Sequence, residues 1–303
     1  MSDSTNPPTA APTRPPTAAP TVRVVTDSSC DLPADIADEL NIAIVPLTIR
    51  FGDEEFVDRA ELSTAEFWTR CVGSDTLPET AAPAPGQFEQ VYRSAAADGA
   101  TSVVVISLSS ALSATMQSAQ LAARTVTDDP AIELDVRVID SRTLTMGLGT
   151  IVLACARAAR DGAPVDDVEA LAHDLVDRTR VFGALDTLEN LKKGGRIGNA
   201  KALLATALSI KPIIEVTGGI VEQAGKQRTR SKALAHLVET VQNYDGAIEN
   251  LAVLHADCSD VDLFVDMLAQ HHTEAIVVGE IGPVIGTHGG RGTIGVAFQV
   301  TGS

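Results

Sequence analysis

Aromatic residues and positive charges are both scarce in this sequence of 303 residues. The aromatic side chains are seven Phe, two Tyr and one tryptophan, Trp68, so a protein that stacks nucleic-acid bases on aromatic rings is not expected. Lys and Arg number 23 against 40 Asp and Glu, which gives a formal net charge of −17. This charge opposes nonspecific attraction to phosphate backbones and anionic membranes. We therefore expect no nucleic-acid partner.

Signatures of metal sites, disulfides, ATP sites and membrane spans are also missing. The four cysteines, Cys30, Cys71, Cys155 and Cys258, lie far apart without a C-x-x-C pair, so we expect no metal site, no disulfide framework and a reducing, cytoplasmic location. No apolar run reaches the roughly 20 residues of a membrane helix, so we expect no stable membrane insertion. Neither a G-x-x-x-x-G-K-[ST] phosphate loop nor a G-x-S-x-G nucleophile elbow occurs. The chain therefore carries no ATP signature of its own.

The length and the local composition predict two domains after a short tail. Residues 1–21 are rich in Pro, Thr and Ala and lack the basic start and apolar stretch of a signal peptide, so we predict a disordered tail. The remaining chain is about twice the usual domain size. We predict an N-terminal domain over 22–179 and a C-terminal domain over 180–303.

After the tail, short β-branched runs alternate with Ala-rich helical stretches. Nearly continuous apolar strands, such as residues 103–106, predict an α/β fold with a parallel sheet covered on both faces. In the first half we predict strands at 22–26, 43–49, 102–108 and 135–139, and helices at 33–40, 64–72, 86–97, 111–125, 146–160 and 165–178. In the second half a mixed sheet with helices on one face is predicted from strands at 181–185, 212–216, 219–221, 251–255, 275–280 and 293–300, with helices ending near 209 and at 231–242 and 261–271.

Hydroxyl-rich loops follow three of the predicted strands. Asp27 and Ser28 follow the first, Ser109 and Ser110 follow the strand that ends near 108, and Asp140 begins the third loop. Each loop alone is typical of helix capping. Ligands of parallel α/β sheets bind outside the carboxyl ends of the strands, so three such loops at one edge also predict a small polar site.

The C-terminal half adds a histidine and two basic segments. His288 lies in a predicted Gly-rich loop, residues 286–292, where small neighbours let a ligand approach closely. The basic segments are 192–198, which contains Arg196, and 226–232, which contains Arg228. Each segment is either a solvated helix end or a docking point for a phosphate or an acidic partner. Both interpretations stay open at the level of the sequence.

Together, these segments resemble the DegV family, whose better-understood members are fatty-acid-binding subunits of bacterial fatty acid kinase. The resemblance covers residues 22–300 in the family's order. The matching segments are 26–33 (TDSSCDLP), 107–110 (SLSS) with Leu112, Ser113 and Thr115, 140–141 (DS), 185–197, 210–212 (IKP) and 281–283 (IGP), which leads into His288.

The resemblance implies a three-layer α/β/α first domain, a two-layer α/β second domain, and an acyl chain buried between or beneath them. It also implies three residues that bind a fatty acid carboxylate, Thr80, Ser110 and His288. Secondary candidates for the ligand site are Asp27, Ser28, Ala81, Ser109 and Gly289. Arg196 and Arg228 are similar to arginines on the family's kinase-facing surface.

This sequence departs from the family pattern near the implied site. Residues 80–84 read TAAPA where the family usually has T-S-Q-P-S, which removes hydroxyl groups. Ala114 replaces the glycine of L-S-G-T, and Arg291 replaces the proline of H-x-G-P-G. An added cation near His288 would favour a more anionic ligand or contact a partner.

The resemblance implies a non-enzymatic bacterial subunit that binds a long-chain fatty acid and presents its carboxyl group to a separate ATP-dependent kinase, which forms an acyl phosphate. No cofactor beyond the bound fatty acid is expected. A free-standing hydrolase that uses Ser110 with His288 is an alternative, because Asp27 or Asp140 could orient the histidine. A lipid-sequestering protein without a kinase is another.

Overall fold

The computed structural model describes residues 21–74, 76–244 and 247–301. Of the predicted tail, residues 1–20 lie outside the described residues. The strands are β1 (Val22–Asp27), β2 (Ala43–Val45), β3 (Thr48–Phe51), β4 (Glu54–Val57), β5 (Glu79–Ala81), β6 (Ser102–Ser107), β7 (Asp135–Asp140), β8 (Thr179–Ala184), β9 (Lys211–Thr217), β10 (Ile220–Gln227), β11 (Ile248–His255), β12 (Val277–Glu280) and β13 (Ile294–Val300). The α-helices are α1 (Ala34–Glu39), α2 (Thr64–Gly73), α3 (Pro85–Ala97), α4 (Thr115–Thr127), α5 (Thr145–Arg160), α6 (Val165–Arg178), α7 (Glu189–Lys193), α8 (Arg230–Gln242), α9 (Val261–Ala269) and α10 (Pro283–Gly289). Two 3₁₀ segments cover Ser28–Cys30 and Gly198–Ser209.

The N-terminal part is a parallel sheet with helices on both faces, as predicted. Its strand order is β2-β1-β6-β7, and every neighbouring pair runs parallel. Successive strand residues point to opposite faces, so Val24 and Val104 pack with α5 and α6, whereas Val25 and Val105 pack with α3 and α4. Both faces are apolar, which explains the continuous apolar strands of the sequence.

A small antiparallel sheet, β4-β3-β5, was not predicted. The single strand predicted at 43–49 is wrong, because the chain leaves the parallel sheet after Val45 and joins the small sheet at Thr48. Pro46 lies at the break and has no N–H group for a strand ladder, so it ends the pairing. The small sheet matters for the site because β5 carries Thr80.

The second large sheet has the order β10-β9-β8-β13-β11-β12. Only β11 and β12 pair in parallel, so the sheet is mixed, as predicted. Helices α8 and α9 cover one face with a core that includes Phe182, Leu237 and Phe264. The other face packs against α5, which therefore lies between the two large sheets. None of the helices in the described ranges is long and apolar enough to cross a bilayer.

The Gly-rich segment near His288 differs from the predicted loop. Residues 283–289 form helix α10, with Pro283 in its first turn, where the missing N–H costs nothing. The Thr287 hydroxyl donates to the Pro283 carbonyl within the helix, at 2.8 Å. Gly290, with φ +80°, ends the helix in a conformation that favours glycine. His288 is therefore held by a helix rather than a loop.

Candidate functional site

An apolar cavity of about 190 Å³ lies between the two large sheets. Its walls come from the loops after β2 and β6, from β5, β8, β9 and β10, and from α10. Aliphatic side chains such as Leu108, Val181, Ile214 and Val284 supply most of the lining. The lining side chains with polar atoms are Thr80, Ser113, Thr145, Arg196, His288 and Thr293. A cavity of this composition suits a ligand with a long apolar part and a small polar head.

Thr80 and His288 meet at the cavity wall, although 208 residues separate them in the sequence. Thr80 Oγ1 lies 3.1 Å from His288 Nε2. Alternation along β5 turns Thr80 and Ala82 toward the cavity and leaves Ala81 exposed on the opposite side. The small antiparallel sheet and helix α10 together therefore build this pair.

Gly194 allows His288 to lie where it does. A Cβ atom added at Gly194 would lie 2.4 Å from His288 Nδ1, so any side chain there would displace the ring. The amide of Asn190 donates to the carbonyl of Thr287, which fixes the last turn of α10 against α7. The glycines of the basic turn at 192–198 thus serve the packing of the histidine as well as the end of α7.

The imidazole of His288 is held in its neutral form. Burial and, to a smaller extent, the nearby positive charge of Arg196 lower the pKa of His288 to about 4. Its Nδ1 atom has no hydrogen-bond partner among the described residues. One of the two groups donates in the bond between Thr80 and His288, so the pair keeps one further hydrogen for a ligand. An anionic ligand that replaced this bond could accept from both groups.

Arg196 is half-buried and lines the cavity instead of pointing into solvent. Its Nε donates to the Leu112 carbonyl at 3.2 Å, and its Nη1 donates to the Gly194 carbonyl at 2.7 Å. These bonds tie the basic turn to the loop after β6. The remaining guanidinium donors lie beside His288, where they place a positive charge at the wall of an otherwise apolar cavity.

The loop after β6 presents Ser113, and not Ser110, to the cavity. The backbone N–H and the hydroxyl of Ser110 both donate to the carboxylate of Asp140. Ser113 Oγ lies 2.9 Å from Thr115 Oγ1 in the first turn of α4. Ser110 therefore connects two strand ends, while Ser113 adds a hydroxyl near Thr80, Arg196 and His288.

The other hydroxyl-rich loops are bonded within the protein. Asp27 accepts from the backbone and hydroxyl of Ser29, at 3.1 and 2.5 Å, and from Ser107 Oγ and Leu108 N, at 3.1 and 2.9 Å. Ser28 accepts from Leu47 N at 3.1 Å. Burial raises the pKa of Asp27, and its hydrogen bonds oppose that rise. These residues hold strand ends together and do not line the cavity.

Ser109 and Gly289, two further predicted site residues, take different positions. Ser109 is buried, and its hydroxyl donates to the carbonyl of Gly219 at 2.6 Å, which joins the first sheet to the β9–β10 turn of the second. Gly289 lines the cavity at the end of α10. Only Gly289 of these two is placed to approach a ligand.

The two arginines of the second basic segment differ in environment: one is exposed to solvent and the other forms an ion pair. Arg228 is exposed and forms no hydrogen bond or ion pair within the part of the chain that the structure describes. Arg230 instead binds Asp260 with two hydrogen bonds of 2.9 Å. Among residues 21–74, 76–244 and 247–301, no group of three or more His, Cys, Asp and Glu is placed to hold a metal ion.

Sequence reasoning missed Ser113 and Thr145 as cavity residues and Gly194 as the residue that packs against His288, and it placed Arg196 at the surface. The paired glycines before Arg196 were the available signal, because two small residues in a turn permit close approach of another group. Nothing local in the sequence shows that the group is His288.

Comparison with known proteins identifies a matching family and similar sequences and structures. A sequence profile described as "Uncharacterised protein, DegV family" matches residues 21–301. A DegV domain-containing protein of Streptomyces coelicolor is 36% identical over 282 residues, which cover 92% of this chain and 98% of that protein.

Two solved structures are also similar. A DegV family protein from Thermus thermophilus, described by its fatty acid binding, superimposes with a TM-score of 0.84 at 31% identity and covers 92% of this chain and 99% of its own. DegV of Bacillus subtilis, described as a fatty acid binding protein, gives a TM-score of 0.82 at 26% identity and covers 92% of this chain and 99% of its own.

Proposed function

The chain belongs to the DegV family, and from this premise we propose that it binds a long-chain fatty acid in the cavity between its two large sheets and presents the carboxyl group to a separate ATP-dependent kinase. The kinase transfers the terminal phosphoryl group of ATP to a carboxylate oxygen, which yields an acyl phosphate and ADP. The protein acts as the lipid-binding subunit in a bacterial cytoplasm. Its solved relatives from Thermus thermophilus and Bacillus subtilis are described as fatty-acid-binding proteins.

The observation that carries the proposal is a cluster of three polar side chains in an otherwise apolar cavity. Thr80, Arg196 and His288 lie together at the wall, and most of the remaining lining is aliphatic. Each methylene that leaves water contributes about 0.8 kcal/mol, so the acyl chain supplies affinity. The hydroxyl, the imidazole and the guanidinium fix the carboxylate, because each can donate to one of its oxygens.

Direct detection of lipid tests the first half of the proposal. Protein purified from a bacterial host should carry a fatty acid, because an empty apolar cavity loses contacts along its lining. Denaturing mass spectrometry of the extracted lipid is the measurement. Absence of acyl species, together with no binding of added oleate by calorimetry, would remove the fatty-acid proposal.

Substitutions in the polar group test its role. His288→Ala and Thr80→Ala should each weaken oleate binding, since loss of a hydrogen bond to a charged group costs about 1.5–3 kcal/mol. Thr69→Ala is a matched control, because this exposed threonine bonds only to the Ala65 carbonyl of its own helix. Affinity unchanged in both cavity variants would show that the carboxylate lies elsewhere.

The kinase half of the proposal rests on exposed positive charge. Arg228 is exposed on an acidic protein and has no partner among the described residues, which suits contact with an acidic partner or a phosphate. Arg228→Ala should keep oleate affinity and lose much of the acyl phosphate formed with the kinase and ATP. Arg124→Ala, which removes an exposed arginine from α4, is the control.

Salt and component omission complete that test. An exposed charge contact is screened over about 10 Å at 0.1 M salt, so wild-type phosphorylation should fall with salt while oleate binding holds. Arg196→Ala should differ from Arg228→Ala by affecting oleate affinity as well, since Arg196 lines the cavity. Product formed without a kinase would favour an independent enzyme, and no product with any kinase would favour lipid sequestration.

A further inference from the structure

Asp31 is a buried carboxylate outside the cavity that touches the helix carrying His288. It follows the 3₁₀ turn after β1, in a left-handed conformation with φ 52°, and is 2% exposed. Its Oδ1 accepts a hydrogen bond of 2.9 Å from the backbone N–H of Gly282, the residue before α10. Its Oδ2 has no hydrogen-bond partner of good geometry among the described residues, although the Thr145 hydroxyl is near enough to stabilise the carboxylate.

Helix α10 is held by packing and by hydrogen bonds at both ends. Val284 is buried in the main core, Gly286 packs on the ring of Trp68, and Asn190 holds the last turn through the Thr287 carbonyl. The Asp31 carboxylate is the side-chain acceptor for the N-cap residue, Gly282. A helix rises about 1.5 Å per residue, so Gly282 and His288 are about 9 Å apart along the axis of α10. A tilt of the helix at Gly282 therefore moves His288. The bond from Asp31 is therefore placed to set where His288 meets Thr80 and the ligand.

We propose that Asp31 is a positioning residue for the carboxylate site, which acts by fixing the start of α10 and so holding His288 at the cavity wall. This inference rests on the proposed fatty-acid function. The role requires an acceptor at Gly282 and does not require a negative charge. Asn tolerates the left-handed conformation, can accept from Gly282 through its amide oxygen and can donate toward Thr145. The asparagine variant should therefore preserve the position of the helix.

The chain contains its own reporter for this helix. Trp68 is the only tryptophan of the sequence, and a Cβ atom added at Gly286 would lie 2.8 Å from its ring. Movement of α10 must change the environment of that indole. Tryptophan emission, excited where tyrosine absorbs little, reads the helix position without any ligand.

The experiment compares Asp31→Ala, Asp31→Asn and Asp257→Ala with the wild type. Asp257 is a matched control because it also has a left-handed conformation, φ 51°, but it is exposed and binds Arg291 instead of α10. We expect Asp31→Ala to shift Trp68 emission in ligand-free protein. The same variant should weaken oleate binding about tenfold, which corresponds to the loss of one hydrogen bond. Asp31→Asn should restore both signals, and Asp257→Ala should change neither.

A second variant protects the test against misfolding of Asp31→Ala. A Cβ atom at Gly282 would lie 3.2 Å from Asp31 Oδ1, so Gly282→Ala crowds the same bond from the other side and should shift Trp68 emission in the same direction. Unchanged emission in Gly282→Ala and in any folded Asp31→Ala would overturn the proposal, as would an Asp31→Asn variant that fails as badly as Asp31→Ala. If the wild type binds no oleate, the proposed function fails by itself, and the ligand-free emission still decides whether Asp31 fixes the helix.

Discussion

Two polar clusters of this protein differ in how many of their hydrogen bonds are made within the protein. The strand-end cluster consists of Asp27, Ser29 and Ser107, and every hydrogen bond of its carboxylate is made within the protein. The cavity cluster consists of Thr80, Arg196 and His288. It retains a histidine nitrogen without a partner among the described residues, and it places a guanidinium group at the wall of an apolar space. The first cluster is closed and holds the fold together, whereas the second is open and suits a ligand.

The difference lies in residue type and in hydrogen-bonding capacity. The strand-end cluster supplies both the carboxylate acceptor and its donors, whereas the cavity cluster consists of side chains that can donate and contains no carboxylate. A polar group whose bonds are already made gains little from a ligand, because the ligand must displace a bond of similar strength. The comparison therefore predicts that changes in the strand-end cluster alter stability, and changes in the cavity cluster alter affinity.

The largest expected effect is on stability, from Asp27→Ala. Removal of this carboxylate leaves the N–H of Leu108 and Ser29 and two hydroxyl groups without their acceptor in a buried site. We expect the free energy of unfolding to fall by about 3 kcal/mol or more, measured by urea denaturation. Oleate affinity of the folded fraction should remain near the wild-type value, and a selective loss of affinity would break the distinction between the clusters.

The sequence predicted most of the fold because its signals are local. Apolar strands such as 103–106 and the helices around α5 and α6 were found from their periodicity, and the mixed second sheet was also predicted. The split at Pro46 was missed because the run from 43 to 49 is mostly apolar, and the N–H group that Pro46 lacks for strand pairing was not taken into account. Helix α10 was missed because its two glycines concealed a short helix that packing stabilises.

The candidate site was harder to predict, because it depends on contacts between distant segments. Thr80 and His288 were named through the family resemblance, and the structure brings them together. Ser110 was named by the same route, but the loop turns it toward Asp140 and turns Ser113 toward the cavity. Residues three apart in a loop cannot be distinguished by type when both are serine.

A second prediction concerns Asp31, a buried carboxyl with fewer bonds than Asp27. Burial raises the pKa of Asp31 from 3.8 to about 7. Because the folded protein holds this proton more tightly, the contribution to stability is fully present below pH 3.8 and is lost as the pH rises through about 7. An asparagine side chain has no proton to lose in this pH range. The free energy of unfolding of Asp31→Asn should therefore rise relative to that of the wild type between pH 5 and pH 8, by about 1 kcal/mol or more.

Urea denaturation across that pH range measures the difference between the two proteins. Burial raises the pKa of Asp58 to about 6, so Asp58 also lowers the free energy of unfolding as the pH rises. Asp58 and the nearby charge of Arg59 are present in both proteins, so their effect is common to both. His255 and Glu280 line the same recess as Asp31 and are also unchanged. A difference that stays constant with pH would contradict the raised pKa of Asp31.

The third prediction acts on the cavity cluster through packing alone. Gly194→Ala introduces a methyl group 2.4 Å from His288 Nδ1, at an ordinary helical backbone conformation of φ −73°. We expect a loss of oleate affinity of about tenfold, since the ring must move away from Thr80. Gly86→Ala is the control, because a Cβ atom there meets nothing within 4 Å. Equal affinities for both variants would mean that the position of His288 is unimportant for binding.

The smallest expected effect separates two serines of one loop and so tests the comparison most finely. Ser113 lines the cavity and shares a hydrogen bond of 2.9 Å with Thr115, whereas Ser110 belongs to the closed kind of cluster through its bonds to Asp140. Because a ligand carboxylate would be at most a second partner for the Ser113 hydroxyl, Ser113→Ala should weaken oleate binding by about 1 kcal/mol, or roughly fivefold, with little change in stability. Ser110→Ala should instead lower stability by about 1 kcal/mol, because a bond to a charged acceptor is lost, and should leave affinity nearly unchanged. Calorimetry and urea denaturation on the same two proteins give both quantities. If Ser110→Ala loses affinity and Ser113→Ala does not, the family-based assignment of the carboxylate to Ser110 is correct, and the loop must rearrange when the ligand binds.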